Sequence, residues 1–119
     1  IYRMIFNLTE NAIKYNRPDG SVQVCITQEP EKLLILVSDT GRGIPEEYQQ
    51  SIFQPFFRVD KSRSRTFGGA GLGLALVWEI AALHGGSVRV AESSDSGTTI
   101  AAELPRSGNH AADSKNEML

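Results

Sequence analysis

Apolar residues Ile1, Ile5, Leu8, Ala12 and Tyr15 recur at helical spacing in the opening stretch IYRMIFNLTENAIKYN. At about 100° per residue they share one face, and the pattern predicts a helix with a buried side running to about Asn16. It stops at NRPDG, where Pro18 and Gly20 supply breaker and turn chemistry. Two strand patterns follow. SVQVCITQ (21–28) alternates, so one of its faces is expected to be wet, whereas KLLILVSD (32–39) is a near-continuous apolar run and reads as central. The EPEK link between them is short enough for a hairpin.

The period then breaks. In DTGRGIPEEYQQSIFQPFF, Pro45 followed by Glu46 and Glu47 suits the start of a short helix ending near Phe53. Residues 58–70, RVDKSRSRTFGGA, carry no apolar period and are long for a connection inside a compact domain. Such segments serve as functional lids or are disordered. GLGLALVWEIAALHGG predicts a helix ended by Gly85 and Gly86, and SVRVAES and TTIAAELP predict two strands around an SDSG turn. Residues 106–119 are polar and aperiodic and are expected to form a flexible tail. The order of helix, two strands, lid, helix and two strands predicts an α+β, two-layer sandwich over residues 1–105, with helices on one face of a mixed sheet.

A chain of 119 residues suits one domain, and 40% hydrophobic content is enough to build a core. A formal net charge of -2 gives no polyanion-binding signature, so no nucleic-acid partner is expected. The single cysteine, Cys25, excludes an intrachain disulfide framework and fits a small residue in a strand. No apolar run approaches the roughly 18 residues of a membrane span, so this stretch is expected to make no direct membrane contact. The chain opens on Ile1 inside a helical pattern. It reads as a piece of something longer, whose other parts meet a membrane.

Candidate chemistry gathers at three places. On the first helix Asn7, Asn11 and Lys14 share one flank beside the apolar face, with Tyr15 one turn beyond Asn11. Carboxamide oxygens suit a hard cation such as Mg²⁺, a lysine suits phosphate, and a tyrosine ring suits a base; a solvated helix side would look the same. Asp39 ends the central strand as a carboxylate able to accept from an exocyclic amine, and Gly41 and Gly43 let the backbone turn close to a ligand, or merely turn. Gly68, Gly69, Gly71 and Gly73 surround the start of the last helix, where exposed N–H groups and the dipole favour an anion. The spacing is neither a P-loop nor a dinucleotide fingerprint. Arg58, Lys61, Arg63 and Arg65 place a basic cluster just upstream, as phosphate ligands or as a solvated loop. His84 precedes a double glycine and suits a helix cap, while His110 lies in the tail and carries nothing.

In this order the pieces closely resemble the ATP-binding catalytic domain of bacterial two-component sensor histidine kinases, members of a superfamily with DNA gyrase B, HSP90 and MutL. NLTENAIKY looks like the N box, DTGRGI the G1 box, FQPFFRVD the F box and GGAGLGLAL the G2 box, over about residues 1–105. The resemblance implies a sandwich of that superfamily's type, with ATP between the N-box helix and a mobile lid. It implies that Asn11 ligates Mg²⁺ with Asn7 helping to order the site, that Lys14 and Arg58 meet phosphates, and that Tyr15 stacks near adenine. Asp39 would accept from the adenine amino group beside Gly41, Gly43 and Ile44. Gly69, Gly71, Leu72 and Gly73 would line the phosphate side, with Arg63 as a lid contact and Thr98 near adenine.

Departures from the family pattern narrow the expectation. ATPase members tend to carry a glutamate four residues before the N-box asparagine, where it activates water. Here that position is Asn7, without useful basicity, and Glu10 is rotated away from Asn11. The resemblance therefore implies ATP held for transfer to a protein histidine, not hydrolysis, with an ATPase or a nucleotide-independent interaction module as the alternatives. No histidine here has the phosphoacceptor context, so no catalytic residue is assigned within the chain. The family's first strand and the start of its N-box helix are also missing. Implied partners are the dimerisation and histidine-phosphotransfer domain of the same kinase and a response regulator receiver domain, in the cytoplasmic part of a membrane-anchored sensor.

Overall fold

The computed structural model describes residues 2–55 and 73–106. Helix α1 spans Tyr2–Lys14, strands β1 and β2 span Val22–Gln28 and Lys32–Asp39, and helix α2 spans Gly73–Leu83. Strands β3 (Ser87–Ser94) and β4 (Gly97–Pro105) complete the described elements. The single short helix expected after Pro45 is two one-turn 3₁₀ helices, Glu46–Tyr48 and Ser51–Phe53.

On α1 the buried residues are Met4, Leu8 and Ala12, with Ile5 packed beside them. Tyr15, expected on the buried face, is 52% exposed, because the helix ends at Lys14 and the chain turns away. Asn16 stitches that end down. Its Nδ2 donates to the Ser21 carbonyl at 2.8 Å, and its Oδ1 accepts from the Thr40 hydroxyl at 3.1 Å. The C-terminus of α2 closes with Gly86 N–H donating to Ala81 O at 2.8 Å and Gly85 N–H to Ala82 O at 3.0 Å. Gly85 has φ 75°, as such a terminus requires.

The four described strands form one sheet in the order β1-β2-β4-β3. Every neighbouring pair is antiparallel, which corrects the expectation of a mixed sheet. The crossover through α2 does make β2 and β3 run parallel, but β4 inserts between them and pairs with both. Both helices cover one face. There Ile35 and Val37 of β2, Ile100, Ala102 and Leu104 of β4, and Val88 of β3 meet Met4, Leu8, Val77 and Ile80. Each such large apolar side chain contributes about 1.5–3 kcal/mol when removed from water.

The edge strand β1 is wetter than its alternation predicts. Val24 and Ile26 pair with Val37 and Ile35 on the helix side, yet remain 40% and 50% exposed. Helix α1 lies over β2 and against α2, so among the described residues β1 is left largely uncovered.

Candidate functional site

At the end of the sheet nearest the β2–α2 connection, the last row runs Val22, Asp39, Thr98, Ser93 across all four strands. The row lies on the helix-covered face, as the polar continuation of the core. Asp39 reaches it because Ile35 and Val37, two and four residues earlier on the same side of β2, are buried beneath the helices.

The Asp39 carboxylate is fixed from two directions. Its Oδ1 accepts the Gly41 N–H at 2.9 Å and the Thr98 N–H at 3.2 Å. Neither bond uses Oδ2, which is left able to accept from a ligand amine. The Ser93 hydroxyl accepts the Ile44 N–H at 2.7 Å and lies 2.9 Å from the hydroxyl of Thr98, which is only 5% exposed. Thr40 and Asn16 tie the same turn to the end of α1, so helix, turn and sheet end are one bonded unit.

Two glycines let this turn seat against the β3–β4 hairpin. Gly43 has φ 84°, and a Cβ there would stand 2.1 Å from the Ser94 carbonyl oxygen. Gly97 has φ 142°, and its Cβ would stand 1.9 Å from the Asp39 carbonyl oxygen. Only glycine permits both the conformation and the approach. Arg17 adds a side-chain donor to the Asp95 carbonyl across the same junction.

Asn7 and Asn11 are half-buried at the rim of α1, and neither carboxamide hydrogen-bonds another described residue. Lys14 is 3.6 Å from Glu10 in a half-exposed pair, worth at most about 1 kcal/mol and easily exchanged for a stronger anion. That pair also holds Glu10 to the Lys14 side of the helix. Among the described residues no cluster of three or more His, Cys, Asp or Glu could hold a metal. A cation here would rest on carboxamide oxygen and on the ligand itself, an arrangement that suits Mg²⁺.

Of the expected site residues, Asp39, Gly41, Gly43, Ile44 and Thr98 are thus brought together at the sheet end. Asn7, Asn11 and Lys14 line the adjoining helix, with Tyr15 just past its end. Gly73 opens α2, where an added Cβ would meet nothing within 4 Å. Arg58, Arg63, Gly69, Gly71 and Leu72, with the rest of the expected lid and the tail beyond Arg106, lie outside the described residues. His84 caps α2, its Nδ1 donating to Ile80 O at 2.8 Å, as its position before a double glycine suggested. Arg106, assigned to the tail, is tied back by its N–H to Glu31 O at 2.8 Å.

Residues not foreseen are Ser93 and Asn16; Phe53, the first residue of the FQPFFRVD stretch, has no expected role of its own. Alternation along β3 gives no signal for Ser93, whose place opposite Thr98 comes from the pairing with β4. The buried Phe53 ring packs on Trp78 of α2 at 5.5 Å between centroids, and so anchors the second 3₁₀ helix to α2. An open cavity of about 380 Å³ bordered by Lys32, Gly86 and Glu103 lies at the opposite end of the β2–β4 pair from Asp39. Its charges pair with one another, Lys32 with Glu103 at 3.4 Å, and it carries no site chemistry.

The family model described as histidine kinase-, DNA gyrase B-, and HSP90-like ATPase matches residues 1–108. The circadian input-output histidine kinase CikA of Synechococcus elongatus is 39% identical over 103 residues, which are 87% of this chain and 14% of that protein. The sensor histidine kinase WalK of Bacillus subtilis is 40% identical over 107 residues, 88% of this chain and 18% of that protein. The chain therefore spans less than a fifth of the length of these curated relatives. Among solved structures, the mycobacterial sensor histidine kinase MprB superposes with a TM-score of 0.75 at 36% identity, over 87% of this chain and 70% of that one. Full-length ShkA in complex with AMPPNP gives a TM-score of 0.74 at 30% identity, over 87% and 20% of the respective chains. Fold and sequence agree, and the chain belongs to the histidine kinase-, DNA gyrase B- and HSP90-like ATPase family, as a catalytic domain of the sensor histidine kinase kind.

Proposed function

We propose that this domain binds Mg²⁺·ATP and presents the γ-phosphoryl group to a histidine on a separate dimerisation domain of the same kinase. The observation that carries the reading is the Asp39 clamp. Two backbone N–H groups occupy Oδ1 and hold the carboxylate at the sheet end, with an acceptor to spare for an exocyclic amine. Preordering of this kind lowers the entropic cost of binding. Gly41, Gly43, Ile44 and Thr98 complete the base side, with Tyr15 at the mouth.

Asn11 is the residue for the metal, with Asn7 beside it; both are half-buried, and neither carboxamide hydrogen-bonds a described residue. A Mg²⁺ ion held there would supply charge screening for the phosphates. Lys14, with Arg58 and Arg63, supplies cations for the phosphates, and the Gly69, Gly71, Leu72 and Gly73 backbone supplies N–H donors. Because Asn7 is a carboxamide, this flank has no general base to activate water. Hydrolysis is therefore slow, and transfer waits for an in-line nucleophile from outside the domain.

The partner chemistry follows from this division of labour. The domain acts on a phosphoacceptor histidine, and the phosphoryl group passes from there to a response regulator receiver domain. The solved structure of histidine kinase ThkA in complex with response regulator protein TrrA, with a TM-score of 0.69 at 27% identity, supports a response regulator partner by analogy. The domain works on the cytoplasmic side of a membrane-anchored sensor; among the described residues no helix is long and apolar enough to cross a membrane.

The test is an incubation with radiolabelled ATP and Mg²⁺, with and without the dimerisation domain of its parent. An acid-labile, base-stable phosphoprotein signal is expected only in the mixture. Rapid phosphate release by the domain alone would place it with the ATPases instead, and Asn7→Glu is the change expected to push it there.

A further inference from the structure

Strand β3 reaches the site through an irregularity. Val88 and Val90 pair with Ala102 and Ile100 on the core face, so an unbroken ladder would next set Glu92 against Thr98. A β-bulge between Val90 and Glu92 shifts the register, and Ser93 takes that place while Glu92 pairs with Thr99. Bulges commonly re-aim a side chain next to a site. This one removes a carboxylate from beside Thr98, on the same row as Asp39, and puts a hydroxyl there.

That hydroxyl is already engaged. Ser93 Oγ accepts the Ile44 N–H at 2.7 Å, and Thr98 Oγ1 is its one other side-chain partner among the described residues, at 2.9 Å. A hydroxyl has one proton to give. If Ser93 gives it to Thr98, the bonds run in one direction, from Ile44 through Ser93 to Thr98, and the Thr98 proton is available to a ligand. Aligned chains of this sort polarise and strengthen one another. If Thr98 instead donates to Ser93, the Ser93 proton has no acceptor among the described residues.

We propose that Ser93, delivered by the β3 bulge, is a positioning residue that turns the Thr98 hydroxyl into a hydrogen-bond donor and so sets the preference for adenine over guanine. The inference rests on the nucleotide reading above and deepens it. Asp39 can only accept and Thr98 is set to donate, directly or through a water. An adenine edge presents an amine donor beside a ring-nitrogen acceptor, whereas guanine presents a carbonyl beside a ring N–H. The Thr98 hydroxyl, oriented by Ser93, and the Asp39 carboxylate therefore match adenine and oppose guanine.

The experiment is calorimetric titration of the domain with Mg²⁺·ATP and Mg²⁺·GTP, for wild type, Ser93→Ala, Ser93→Cys and Ser93→Thr. Ser93→Ala and Ser93→Cys should each reduce the ratio of ATP to GTP affinity by about fivefold, the factor equivalent to one net hydrogen bond. Ser93→Thr, which keeps the hydroxyl, should retain the wild-type ratio. A ratio unchanged in Ser93→Ala and Ser93→Cys, or equal weakening of both nucleotides, overturns the positioning role and leaves the nucleotide reading standing. A wild-type domain that binds neither nucleotide overturns both. Should Ser93→Ala fail to fold, the contrast between Ser93→Cys and Ser93→Thr decides the matter by the same ratio.

Discussion

Asp39 and Thr98 stand opposite each other in the β2–β4 pair, and the Thr98 N–H donates to the Asp39 carboxylate at 3.2 Å. The acceptor of one strand is thus held by the backbone of its neighbour. Replacing Asp39 by Asn keeps an oxygen for Gly41 and Thr98 but puts a donor in place of the free oxygen. ATP affinity should fall about tenfold or more while GTP changes much less, because a buried donor facing a donor is left unpaired. Asp39→Ala should also lose the adenine preference, and cost about 1–3 kcal/mol of stability by stranding two N–H groups. Equal losses for ATP and GTP by calorimetry would mean that Asp39 does not read the base.

Asn11 sits at the rim of the core, half-buried, and its carboxamide has no hydrogen-bond partner among the described residues. Its truncation therefore removes little that the fold uses. Asn11→Ala should lower ATP affinity in Mg²⁺ at least severalfold, leave affinity in EDTA nearly unchanged, and shift stability by no more than about 0.5 kcal/mol, as is usual for such sites. Normal Mg²⁺·ATP binding by this variant would show that the helix flank holds no metal.

Glycines at the site divide by steric context. A Cβ at Gly73 meets nothing within 4 Å, whereas one at Gly97 would stand 1.9 Å from the Asp39 carbonyl oxygen. Gly73→Ala should stabilise α2 by up to about 1 kcal/mol, since alanine is the better helix former, and weaken ATP binding by crowding the phosphate side. Gly97→Ala should destabilise the domain by more than about 1 kcal/mol through the strained φ alone. Thermal unfolding measured with and without ATP separates the two. A Gly73→Ala protein that binds ATP normally would remove the phosphate role of that position.

Val77 of α2 is fully buried in the cluster with Met4, Leu8 and Ile35, where the two helices meet the sheet. Truncation to Ala deletes two methyl groups where little can collapse, and should cost about 1–3 kcal/mol in denaturant unfolding. Binding of ATP to the folded fraction should be unaffected. A neutral result would show that α2 is not seated on the sheet as described.

Much of this domain can be read from local pattern, because the periods of helix and strand are properties of a few consecutive residues. The Asn7–Asn11–Lys14 flank, the placing of Asp39 at the end of a central strand and the glycines of the following turn all follow from spacing alone. Strand order does not. β4 comes last in the chain yet pairs with β2, turning an expected mixed sheet into an antiparallel one, and that choice depends on contacts between residues far apart in sequence. The exposure of Val24 and Ile26 is likewise a matter of where α1 lies, which β1 itself does not encode. The β3 bulge is the clearest case. Alternation from Val88 through Val90 points Glu92 at the site, and only the pairing with β4, which slips by one residue, puts Ser93 there instead. A period of two cannot report its own interruption, because the extra residue is visible only against the partner strand.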